Sequence, residues 1–150
     1  MSQRLDIQKA LAAVLSRIDV LAADQVFRGR LLFGDNDPLP RVSILESPKT
    51  SIISYPEGDS AQKEEWELYL QGTVDNNIMN PTDPAHELLV KVKQALVGVR
   101  TEGSSDYQLG GLVFDIGIDG GICRPPDEHS PQCYFLLNIK FSFIEELGNI

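Results

Sequence analysis

No apolar run in this chain of 150 residues approaches the roughly 20 residues that a membrane-spanning helix needs. Cysteine is scarce. Cys123 and Cys133 stand alone, too few for the disulfide framework of a small secreted domain, and are expected as free thiols in a reducing cytoplasm. Histidine is limited to His86 and His129. Together with the two cysteines, His129 matches no common zinc spacing, so no metal is expected. The chain has no Gly-x-Ser-x-Gly, no phosphate-cradling Gly-rich loop with lysine, and no Gly-x-Gly-x-x-Gly behind a strand. Asp115, Asp119, Asp127 and Glu128 could be drawn as a metal cluster for hydrolysis. However, Asp115 and Asp119 stand on a segment alternating apolar and polar residues, which by itself accounts for their placement. The expectation is a protein without enzymatic activity or cofactor. Cations are the minority, 13 Lys and Arg against 22 Asp and Glu, for a net charge of −9. Such a chain lacks the cations whose counterion release drives binding to phosphate backbones. The opening residues, Met-Ser-Gln-Arg-Leu-Asp-Ile-Gln-Lys, carry too much charge for a secretory signal, so folding in a cytoplasm is expected.

What is present fits one domain spanning 1–150, with 42% apolar and 23% charged residues. Ile7, Leu11, Val14, Ile18 and Leu21 recur at helical spacing and predict a first helix over 3–22. Val26–Phe33, Arg41–Leu45 and Glu64–Val74 read as strands, the third with Trp66, Leu68, Leu70 and Val74 on one face. Asp83 reads as an N-cap with Pro84 at the first helical position. The helix behind them carries Ala85, Leu88, Leu89, Val92, Leu96 and Val99 on one face, with Glu87 four residues before Lys91. Gly111–Ile118 and Cys133–Ile144 alternate again. The fold class is therefore α+β: a mainly antiparallel or mixed five-stranded sheet with two helices on one face, in the order α-β-β-β-α-β-β.

Two connections exceed what a compact domain usually needs, 47–63 and 120–132. The first holds an apolar patch, Ile52-Ile53 with Tyr55, which either contacts another subunit or extends a hairpin. Arg28 and Arg30 fall at alternate positions of the first strand and would point to one side. They would meet acidic residues of a neighbouring subunit, or Glu67 or Asp75 of their own sheet. The candidate interface is thus Ile52, Ile53, Tyr55, Arg28 and Arg30.

A series of local features occurs in a telling order. Arg28-Gly29-Arg30 lies in the first strand, and Pro38-Leu39-Pro40 leads into Val42-Ser43-Ile44-Leu45-Glu46. Then come Trp66-Glu67-Leu68-Tyr69-Leu70-Gln71-Gly72 and the helix start Asn80-Pro81-Thr82-Asp83-Pro84. In this order the chain resembles the tail-terminator (tail-completion) proteins of long-tailed bacteriophages. The resemblance implies a virion protein at the tail-neck junction, assembled in the host cytoplasm. It would form a homo-oligomeric, hexameric ring on the finished tail tube. The ring would touch the major tail tube protein and the head-tail connector proteins, end tube polymerisation and provide the joint to the head. Acidic walls would let DNA pass through the lumen without specific binding. The family has no catalytic residues to carry over. The alternatives are another neck protein, at the head-closure or connector position, and a small metal-dependent hydrolase using the Asp115–Glu128 region.

Overall fold

The computed structural model describes residues 3–34, 36–48, 52–54, 61–101, 112–128 and 131–146. It is an α+β fold with two helices on one face of a mixed sheet. The elements run α1 (Gln3–Leu15), a short 3-10 turn (Ala23–Gln25), β1 (Val26–Arg28), β2 (Arg41–Glu46), β3 (Ile52–Ser54), β4 (Ala61–Val74), α2 (Asp83–Thr101), β5 (Asp115–Ile118), β6 (Ile122–Arg124) and β7 (Cys133–Glu146). The main path across the sheet is β1-β2-β4-β7-β5. Only β1 and β2 pair in parallel; all other pairs are antiparallel.

At the centre, β4 and β7 pair along their full length, from Ala61 against Glu146 to Val74 against Cys133. Alternation explains why. On β7, Phe135, Leu137, Ile139, Phe141 and Phe143 are all fully buried. On β4, Trp66, Leu68, Leu70 and Val74 face the same core. Their outward neighbours Glu65, Glu67, Tyr69 and Gln71 stay half-exposed. A strand pair of this length is stable when one face is continuously apolar and the other tolerates water.

Among the described residues the sheet has seven strands where five were expected, and they fill five rows. β3 extends the row of β2, because both lie on the flank of β4 away from β7. β6 likewise extends the row of β5 along β7. The chain advances from Ile118 to Ile122 while its partner retreats only from Ile139 to Leu136, so one residue is extra. That bulge is built by Asp119, whose carboxylate accepts from the Asn138 backbone and side chain and from the Gly121 N–H. Gly121 adopts φ +74, where a residue with a Cβ is strained.

Four sequence expectations need correction. The first helix stops at Leu15, not 22. The Ser16 N–H and hydroxyl both bond the Ala12 carbonyl, and from Arg17 N to Val14 O the bonds tighten to three-residue turns. Tighter turns follow, from Ile18 N to Leu15 O and from Leu21 N to Ile18 O, and they still deliver Ile18 and Leu21 to the core. The first strand ends at Arg28, because Gly29 at φ +74 turns the chain out of the row. Thr82 occupies the cap of α2 in place of Asp83, since the first helical bond runs from His86 N to Thr82 O. Lys91 bonds Asp19 at 2.7 Å instead of Glu87, tying α2 to the turn after α1. The six buried residues of α2 are the six expected.

Gly72 faces Phe135 across the central ladder. A Cβ built there would lie 1.9 Å from the edge of the Phe135 ring. Gly72→Ala should therefore destabilise the protein by about 3 kcal/mol, the upper range for overpacking. Denaturant unfolding measures this; an unchanged midpoint would show that Phe135 can move aside freely.

Candidate functional site

Of the candidate residues, Arg28, Arg30 and the backbone of Ile52 and Ile53 are described, and they lie on separate segments. Ile52 and Ile53 lie in β3, opposite Glu65 and Glu64, so the backbone of this segment forms a hairpin with β4. Tyr55 lies outside the described residues. Arg28 is exposed at the sheet's β1 edge, beside Gln8, Leu31 and Glu46. Arg30, beyond the turn at Gly29, does not share a strand face with it. Arg30 pairs with neither Glu67 nor Asp75. Its guanidinium donates to Asp37 at 2.9 Å and to the Leu32 carbonyl at 3.1 Å.

Arg30 instead belongs to a cluster that sequence reasoning did not assemble. After Gly29 the chain folds back over the outer face of β2, where Ser43 donates its hydroxyl to the Arg30 carbonyl. Phe27 and Phe33 meet edge to face, with ring centres 5.0 Å apart. Arg30 lies over both rings, and Arg41 stacks on Phe33 at 4.1 Å. Such stacking suits the flat, weakly hydrated guanidinium. Asp37 is the one carboxylate among these described side chains. The Gly34 N–H, with the charge of Arg30 behind it, holds its carboxyl below the ordinary range. Burial pulls the Arg41 guanidinium below its own ordinary value. The available signal was the pattern of β2: Val42 and Ile44 face inward, so buried Arg41 and Leu45 require a cover on the outer side.

Two exposed apolar pairs flank this region in sequence. Leu32 is 86% exposed beside Leu31, and Ile78 and Met79 are 90% and 84% exposed. The second pair sits on a loop held by Asn77, whose side-chain carbonyl accepts from the N–H groups of Met79 and Asn80. This turn fixes the loop while its apolar side chains stand in water. An open groove on the outer sheet face lies elsewhere, lined by Glu67, Tyr69, Asp119, Leu136 and Asn138.

The acidic residues near β5 and β6 do not converge. Asp119 is committed to the bulge, and Asp127 accepts from the Tyr134 hydroxyl at 3.0 Å. Among the described residues no group of three or more His, Cys, Asp or Glu could hold a metal ion. Cys123 and Cys133 are free thiols. They are not opposite each other, since Cys123 faces Phe135 and Cys133 faces Val74. Burial raises both thiols above their ordinary value.

The other charged cluster closes the far end of the core. Glu64 is 1% exposed on the inner face of β4 and pairs with Arg4 of α1, whose guanidinium also lies over Trp66 at 5.0 Å. Burial, and then a hydrogen bond to Glu64, raise the Glu145 carboxyl above its ordinary value.

No known family model matches the chain, and no curated protein matches it.

The Glu64–Glu145 pair makes stability depend on pH. A carboxyl whose folded value is raised contributes fully below its unfolded value, near 4.5, and loses that contribution as pH rises through the folded value. Glu145→Gln keeps a donor facing Glu64 and removes the charge. Its thermal stability should exceed the parent's at neutral pH, and the parent's loss of stability on raising pH above 4.5 should flatten. A variant less stable than the parent at neutral pH would contradict the repulsion between the two carboxyls.

Proposed function

We propose that this chain is a structural virion protein, a ring-forming tail terminator that caps the completed phage tail tube. What carries the reading is the order of the resembling segments, from Arg28-Gly29-Arg30 through Trp66–Gly72 to Asn80–Pro84. Those segments supply the end of β1 with the turn after it, the central strand β4 and the start of α2. The exposed pairs Leu31-Leu32 and Ile78-Met79 support it, because large apolar side chains held on ordered loops are characteristic of partner contacts. In a ring each subunit presents two different surfaces to its neighbours, and a rotation that closes stops growth. An acidic surface opposes premature self-association and leaves the tube end as the template.

Growing tail tubes supplied with this protein should stop at a defined length and carry a ring at one end in electron micrographs. Ile78→Asp combined with Met79→Asp should leave the subunit folded, since neither side chain is in the core, and abolish the cap. Tubes that elongate equally with and without the protein would overturn the reading.

A further inference from the structure

Arg41 is 8% exposed, its Nε is buried, and that Nε donates to nothing. The Arg41 guanidinium makes no hydrogen bond to any other described residue, whereas that of Arg30 beside it donates to Asp37 and to the Leu32 carbonyl. A guanidinium taken out of water is normally bidentate or surrounded by acceptors, because an unmet charged donor is costly. Here two guanidiniums share the Phe33 ring and one carboxylate, Asp37, which already accepts from Gly34. Among the described residues the cluster is left with one surplus positive charge. The slight exposure that Arg41 keeps marks the open end of the cluster.

The geometry points to a carboxylate-binding site at Arg41, framed by Arg30, Phe27 and Phe33, and filled in the assembly by an aspartate or glutamate of a second copy of this chain. One surplus charge matches a carboxylate, where a phosphate dianion would reverse the balance. The chain itself is rich in the ligand. Segment 112–128 holds Asp115, Asp119, Asp127 and Glu128 against Arg124 alone, while 26–41 holds Arg28, Arg30 and Arg41 against Asp35 and Asp37. These two segments provide β1 and β5, the opposite ends of the sheet order. A basic end and an acidic end on one subunit suit head-to-tail contact between copies. The choice of a second copy rests on the ring reading above; the carboxylate site itself does not.

Two measurements separate the site from the ring. First, protein labelled with nitrogen-15 in arginine is titrated with acetate, with chloride at matched ionic strength as control. The Arg41 Nε–Hε resonance should shift saturably with acetate alone, and the melting temperature should rise with it. Inorganic phosphate at the same ionic strength should act more weakly. Acetate behaving like chloride would overturn the site, and phosphate acting more strongly would overturn its assignment to carboxylates. Second, Arg41→Met keeps the apolar stem and should melt no lower than the parent, since the lost stack on Phe33 is offset by removing a buried charge with an unpartnered donor. It should raise the concentration needed for ring formation by about tenfold or more, the usual worth of one hydrogen bond to a charged group. Rings forming at the parent's concentration would overturn the second copy as occupant. If the parent forms no rings while acetate still binds Arg41, the ring reading fails and the carboxylate site stands. If Arg41→Met does not fold, the acetate titration decides the site.

Discussion

The antiparallel ladder between β4 and β7 is the constraint on which the rest depends. It pairs 14 residues of each strand without interruption, and its inner face is apolar from Trp66 and Phe143 to Val74 and Cys133. Slipping the register by one residue would turn every one of those side chains to the wet face. The register is also keyed by shape, because only Gly72 leaves room for the Phe135 ring opposite. Everything else is hung on this ladder: β2 and β3 on one flank, β5 and β6 on the other, and α2 across its inner face.

The parts of the fold legible in the sequence are those where one periodicity runs long. The six core positions of α2 and the five of β7 follow from spacing alone, because burial on one side writes itself into every third or fourth, or every second, residue. What escaped was decided by single side chains. Gly29 ends β1 by its backbone conformation, and α1 gives way to tighter turns from Arg17 onward. At Asp119, Gly120 and Gly121 a bulge lets the row continue into β6, within the expected loop 120–132. The candidate residues fared worse, because partners are set by tertiary approach. Arg30 was legible as a local basic spot, but its union with Phe27, Phe33, Asp37 and Arg41 needs the chain to reverse over β2.

The surface divides along the same lines. The helices shield the inner face, leaving the outer face half-exposed around Tyr69, Leu136 and Asn138. At the β1 end sits an arginine cluster with an unfilled donor; toward β5 and β6 the chain turns acidic. Against a net charge of −9, that local reversal would, on the proposed ring reading, let copies of one acidic subunit attract each other in a single orientation.

Sedimentation velocity of the purified protein over a range of salt tests the central claim, that this chain is a ring-forming assembly subunit, most directly. Repulsion between acidic copies is screened over roughly 10 Å at 0.1 M salt and over shorter distances above it. The protein should sediment as a monomer at low salt. As salt and protein concentration rise, a single closed species should appear, without larger polymers. A monomer at every salt and protein concentration, or a continuous series of ever larger species, would contradict it.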